Sequence, residues 1–465
     1  MVEGAWNGEF NAASLNSATT ICGTAATLEN GNLKFFSSTD NLSPLFSIAE
    51  GDALFISNSP VFVLSTTGNE PDPVYPFYAY DLIRIFRAGL NCQAGNLPTA
   101  SGNYLKVHFN SILTVDSSLQ VSLSPHPLDV APTDYQSYKT LLESNVKAVF
   151  DNAQSPARKF QYSSLALISR GYDSAATASL AAKMGCKHAA TFTDSRRENP
   201  RQDSGKELAE ILGMTCTEYD RWGYLDRSEP IDHEFAFSTI SVNPAMSMIE
   251  ESLPCKILIS GGFGGTAWEY AHTIKADNLI RPEVSLITAF SQLEFRLNVG
   301  YQIFAPAMVG IRHNQNLAAI SISEEMKPWS TGNKYDKPIP RRIVEESGIP
   351  RNAFGMKKMA SGQAHFYKPS DISKNALKNY EHFLKVNHSM VPSYKITFMK
   401  LIVATEHFLH GIWFKKHQDM SCSTANAFRL TALDGTRHNV PWKFRFMFQW
   451  AFDSLKSRYR APEQH

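Results

Sequence analysis

The chain of 465 residues predicts an α/β protein in two parts: a smaller β-rich domain over residues 1–130 and a larger parallel-sheet domain over 131–465. Three observations carry this. An apolar strand-type run at 165–168 leads through a loop of small and polar residues into a small-residue helix reaching about residue 184. A second strand-like run, His188–Thr193, is followed by a helical pattern from Gly205 to Gly213. Alternation of strand and helix of this kind favours a parallel sheet with helices on its faces. Before residue 130, short β-type runs are punctuated by Asn, Gly, Asp and Ser clusters.

Taken in order, Leu33–Ser37 and Ala53–Ser57 read as strands, and Tyr104–Phe109 alternates with period two. A helix is predicted over Tyr138–Asn152, because Leu141, Leu142, Val146, Val149 and Phe150 recur at helical spacing. The helix of 205–213 ends on glycine, a common stop. From about residue 275 onward the pattern is mainly helical. There are no repeats, low-complexity tracts or long linkers.

Composition narrows the classes. Apolar residues make up 43% and charged residues 19%, which suits a globular chain. A net charge of +1 gives no bulk attraction to nucleic acid or to acidic membranes. Cys22, Cys92, Cys186, Cys216, Cys255 and Cys422 are scattered with no Cys-x-x-Cys spacing, so free thiols in a reducing cytoplasm are expected. No signal-peptide pattern stands at the start, and no apolar run reaches the roughly 20 residues needed to span a bilayer. The histidines show no metal-ligand spacing. The basic, aromatic stretch Trp442–Trp450 has two readings: a face for single-stranded nucleic acid, or an amphipathic helix packed on the larger domain. The packed helix is the favoured reading.

The chemistry is concentrated at Ser169-Arg-Gly-Tyr-Asp-Ser174. A strand ends, a loop can turn its N–H groups inward, and a helix N-terminus adds its positive dipole end, which together suit an anion. Ser169 and Ser174 offer hydroxyl donors, and Gly171 would let backbone come close. Asp173 cannot meet a phosphate directly, but a Mg²⁺ between carboxylate and phosphate would reconcile them. The competing reading is an ordinary strand-to-helix turn capped by Ser and Asp.

These six residues resemble the pyrophosphate loop, Ser-Gly-Gly-x-Asp-Ser, of the N-type ATP pyrophosphatases, with Arg170 at the second position. The order of other segments resembles asparagine synthetase and β-lactam synthetase. Trp6–Phe10, Thr39–Phe46, Ala53–Ser59 and Ser101–Leu105 are similar in order to segments of that family's N-terminal-nucleophile (Ntn) glutaminase domain. Residue 2 is Val where the family has its catalytic Cys, so a truncated, degenerate glutaminase-like domain without glutaminase activity is expected. Ile257–Trp268 resembles a second strand and glycine loop, with Gly264 and Gly265 facing the nucleotide and Thr266 at the position of a Mg²⁺-binding Asp; Glu269 is a candidate to compensate. Tyr335–Glu346 and Ile349–Lys358 resemble the family's Lys-x-x-x-Arg helix and the basic segment after it. Phe295–Pro306 lacks the aspartate of the family's acceptor segment, so the acceptor is expected not to be aspartate.

The resemblance implies an adenine nucleotide α-hydrolase-like (PP-loop) fold and an ATP-dependent, amide-forming ligase. A small-molecule or peptide carboxylate would be adenylated, with Mg²⁺ on Asp173, and captured by ammonia or an amine. The resemblance leaves open a partner that donates that ammonia or amine, and a homodimer. Ser169, Gly171, Asp173 and Ser174 would hold the phosphates. Backbone groups of Thr191, Phe192 and Thr193 would hold the adenine. Lys358 first and Lys357 second, with Arg170, would stabilise charge in the transition state. Asp194 and Asp203 are expected to cap loops and helices. The alternative is a catalytically inactive relative kept as a binding or scaffold subunit, with Arg170 blocking the phosphate site.

Overall fold

The structure, a computed structural model, describes residues 2–40, 42–87, 94–195, 202–237, 243–268, 292–332, 335–356, 369–413 and 441–459. Strand β1 (Ala5–Trp6) pairs antiparallel with β2 (Ile21–Cys22), around helix α1 (Ala12–Ser17). Asn11 starts α1, its side chain accepting from the Ser14 N–H. Strands β3 (Ala25–Glu29) and β4 (Asn32–Phe36) form a hairpin. Its turn is Asn30-Gly31, with φ of 50° and 78°, the left-handed pair whose twist matches the strands.

Strands β5 (Leu45–Glu50) and β6 (Ala53–Ser57) form a second hairpin. Helix α2 (Pro60–Thr66) follows; Ser59 caps it and Pro60 opens it, where a missing N–H costs nothing. Helix α3 (Tyr78–Arg87) precedes β7 (Ala94–Pro98), β8 (Tyr104–His108), β9 (Ser111–Val115) and β10 (Val121–Pro125). The result is two four-stranded antiparallel sheets, β10-β9-β4-β3 and β6-β5-β8-β7. The β-rich character expected of the first 130 residues is therefore present.

Helix α4 (Tyr135–Ala153) starts earlier than the apolar spacing predicts, because Asp134 and Ser137 form a reciprocal cap and Tyr135 is buried. Strand β11 (Ser163–Leu167), helix α5 (Tyr172–Lys183), β12 (His188–Phe192), α6 (Lys206–Ile211) and β13 (Thr215–Tyr219) come next. Then come β14 (Lys256–Ile259), a single turn α7 (Gly264–Ala267), α8 (Leu293–Val299) and β15 (Gln302–Phe304). The five strands form one parallel sheet in the order β13-β12-β11-β14-β15. Ala175, Ala176, Ala178 and Ala181 of α5 are fully buried, so this helix lies close against the elements around it.

Helices α9 (Asn314–Ser321), α10 (Pro338–Glu346), α11 (Lys374–Met390), α12 (Ser393–Trp413) and α13 (Met447–Leu455) complete the chain. The aromatics of α13 and the turn before it are inside: Phe446, Phe448, Trp450 and Phe452 are all buried. The packed-helix reading therefore holds, with one difference. The helix also reaches the β-rich part, where Phe448 stacks on Tyr78 at 4.6 Å and Gln449 donates to the carbonyls of Asp72 and Tyr75. One hydrophobic cluster runs through both parts, holding Phe46, Val61 and Leu105 together with Val146, Leu165 and Phe304. Among the described residues no helix is long and apolar enough to cross a membrane.

Candidate active site

The order of the parallel sheet fixes where a ligand should sit. From β11 the chain builds outward through β12 and β13, then returns to the other side of β11 with β14 and β15. The reversal lies between β11 and β14, and in open α/β sheets the crevice at the carboxyl ends of such a pair is the ligand position. The loop after β11 is Ile168–Gly171, and the loop after β14 is Ser260–Phe263. Both motif loops therefore lie side by side at the carboxyl ends of adjacent strands, where that rule places the ligand.

The first loop is organised by its own hydroxyls. Ser169 Oγ lies 2.7 Å from Ser174 Oγ. The Ser169 N–H donates to Ser174 Oγ at 3.2 Å, and the Gly171 N–H to Ser169 Oγ at 3.3 Å. Gly171 has an extended φ of −75° and would meet only the two serine hydroxyls if it carried a Cβ. The close approach that needs glycine is made by the second loop. A Cβ on Gly261 would lie 2.5 Å from the Ser174 backbone N, and one on Gly264 2.5 Å from Cβ and Cγ of Asp173. Gly265 has only the Lys337 ammonium near, at 3.9 Å from where its Cβ would be.

Lys337, which the sequence reading did not select, stands at the centre. Its Nζ donates to both Asp173 oxygens at 2.8 Å, and lies 3.4 Å from the Gly264 carbonyl oxygen. Lys337 is buried, and it precedes α10 directly, its carbonyl accepting from the Arg341 N–H. Arg341 holds α10 to α5: it donates to the Tyr172 hydroxyl and lies over the rings of Tyr172 and Phe354 at 4.9 and 5.2 Å. Lys337 and Arg341 are the Lys-x-x-x-Arg pair of the sequence, and a lysine immediately before a proline-started helix was the available signal. Tyr335 packs on Tyr172, ring centroids 4.9 Å apart; burial, then the Asp173 carboxylate, push its phenol above the ordinary range, so it stays neutral. Gly355, with φ of +64°, donates its N–H to the Arg170 carbonyl and leaves no room for a Cβ against the Tyr172 ring.

Several expected roles change. The Arg170 guanidinium neither enters nor blocks the crevice: it bonds the Ser204 carbonyl and pairs with Glu207 at 2.9 Å, on the side of α6. Thr191 is fully buried and its hydroxyl accepts from the Gly205 N–H, so it is a packing residue. The Thr193 N–H is spent on the Tyr219 carbonyl, and its own carbonyl already accepts from Asp203. Phe192 is buried beneath the Arg221 guanidinium, 4.6 Å from its ring. A backbone grip on adenine by this strand end is thus largely pre-empted by the fold's own hydrogen bonds. Asp203 does not cap α6, which begins on Gly205 without a side-chain cap, but its carboxylate meets the Arg170 backbone N–H in the loop after β11. Burial raises the Asp203 carboxyl to about 6, against the opposing pull of Arg221. Thr266 is buried. Lys357, Lys358 and Glu269 lie outside the described residues.

Among the described residues, which do not include Glu269, the donor set does not fit a protein-held Mg²⁺. That ion asks for oxygen ligands in octahedral array. Both oxygens of Asp173 are engaged by an ammonium, Thr266 is a buried hydroxyl, and no cluster of three metal-ligating side chains occurs among the described residues. Compared with protein-family models and with curated proteins, the sequence finds no match.

Proposed function

We propose that the chain is an ATP-dependent amide-forming ligase that takes the ATP phosphates in the crevice between the β11 and β14 loops. The observation that carries this reading is the meeting of a strand–loop–helix anion cradle with a buried lysine at the sheet's reversal point. A substrate carboxylate oxygen would attack the α-phosphorus, and the bond to the bridging oxygen would break, releasing pyrophosphate. Ammonia or an amine would then displace AMP from the acyl-adenylate, giving an amide and releasing a proton. The residues supply position and charge: N–H groups at the start of α5, the serine hydroxyls and Lys337 face the leaving pyrophosphate.

A second reading, a non-catalytic scaffold subunit, is favoured by one observation: Lys337 closes on Asp173 with both oxygens engaged. Two measurements separate the readings. Calorimetric titration with ATP should show saturable binding that Gly264→Ala abolishes. Screening carboxylates and amines for AMP and pyrophosphate release should then find a turnover. Absence of ATP binding would overturn the ligase and leave the scaffold.

A further inference from the structure

Resting on the reading of this crevice as the phosphate site, we infer that Lys337 takes the place of the metal: its ammonium bridges Asp173 and the phosphates, so the chain binds its polyphosphate as the metal-free anion. An ammonium has three N–H donors. Two are used on Asp173 at 2.8 Å each, and the third has only the Gly264 carbonyl at 3.4 Å, beyond a good hydrogen bond. That third donor is what a phosphate oxygen would accept, and a charge-assisted bond would replace a long neutral one.

The surroundings hold the ammonium there. Gly264 packs on Cβ and Cγ of Asp173, so the carboxylate is walled on that side and turned to Lys337. Gly265 has no side chain to stand against the ammonium, which lies 3.9 Å from where its Cβ would be. The main chain of Lys337 is fixed by the first turn of α10, which Arg341 ties to Tyr172. A divalent ion on Asp173 would have to displace a buried cation or sit beside it, and like charges at such a distance repel. The residue at the second carboxylate's position, Thr266, is a buried, neutral hydroxyl.

The test is calorimetric titration of the full chain with ATP and with inorganic pyrophosphate, in excess EDTA and in excess Mg²⁺. The expected result is binding in EDTA within about threefold of that in Mg²⁺, with Lys337→Gln at least about tenfold weaker and Lys337→Arg largely restored. Thermal melts of both variants show whether they are folded. If Lys337→Gln does not fold, the EDTA and Mg²⁺ comparison on the unaltered chain decides alone. Binding only in Mg²⁺, or a folded Lys337→Gln that binds as before, overturns the inference and leaves the phosphate site standing. Binding of neither ligand under either condition overturns both.

Discussion

Asp40 lies buried, one carboxylate oxygen accepting from the Leu42 N–H at 3.0 Å. Burial, only partly opposed by hydrogen bonds from Ser38, Leu42 and Ala305, raises its carboxyl from 3.8 to about 6. The folded chain therefore holds a proton that the unfolded chain has released. Stability falls as pH rises from about 4 to about 6, and the penalty is complete above that, at roughly 3 kcal/mol for such a shift. Asp40→Asn should remove this penalty, so urea unfolding at pH 7.5 should show a more stable variant, with the gap closing toward pH 4. An equal gap at both pH values would contradict it. A second prediction concerns the glycines facing Asp173 and Ser174. A Cβ at Gly261 meets backbone atoms at 2.5 and 2.6 Å that cannot yield without moving a loop. Gly261→Ala should cost about 2 kcal/mol in chemical unfolding and weaken ATP binding by more than about tenfold. Gly171→Ala, whose Cβ meets only side-chain hydroxyls at 3.4 and 3.8 Å, should leave stability within about 0.5 kcal/mol of the parent.

Helix α10 decides whether the crevice keeps its cation. Its apolar face, Ile339, Ile343 and Val344, is buried, while Arg341 reaches the Tyr172 hydroxyl and Arg342 pairs with Glu325 and Glu346. Arg341→Met keeps most of the side-chain volume and removes the bond, so a loss of about 2 kcal/mol is expected. Because Lys337 sits at the start of this helix, ATP affinity should fall too, whereas Arg342→Met, whose guanidinium lies over the rings of Tyr135 and Trp329 and touches neither Tyr172 nor Asp173, should leave it unchanged. Calorimetry on the pair checks this; equal effects would mean that α10 does not position Lys337. At this scale the sequence was readable where the cause was local. The β11–α5 unit and the stop after α6 were visible because apolar period, small residues and glycine lie side by side. Strand β13, Thr-Cys-Thr-Glu-Tyr, was not, because it is a largely exposed edge strand whose apolar residues are sparse. Strand β15 is only 3 residues long and is fixed by its partner β14. The Lys-x-x-x-Arg pattern marks the position of Lys337 but not its role, because its partner Asp173 is 164 residues away.

Contacts and one hydrophobic cluster join the two parts of the molecule, and they are expected to make it one folding unit. Glu3 pairs with the buried Arg296, Ser59 donates to Glu294, and Arg158 donates to the Gly4 carbonyl. The division at residue 130 read from composition follows β10 and precedes α4, but the hydrophobic cluster does not stop there. What marks the two parts in sequence is a change of period. What joins them is long-range packing, and the aromatic run of 442–450 showed only that one face was apolar, without saying against what. Phe448 is the clearest test. It is buried, stacked on Tyr78 at 4.6 Å and set edge-on to Phe237 at 5.0 Å, so Phe448→Ala should cost about 3–4 kcal/mol. The cost should appear as a shift of one denaturation curve, the same by tryptophan fluorescence and by circular dichroism. If the β-rich part were independent, the variant would instead show two transitions, with only the one that carries the 447–455 helix displaced. Removing residues after 440 should go further. Burial of Phe448, Trp450, Phe452 and Leu455 together is worth roughly 10 kcal/mol, as large as the whole margin of a typical domain, so the shortened chain should be insoluble when expressed. A soluble, cooperatively melting chain ending at residue 440 would show that the C-terminal helix is an accessory and not part of the core.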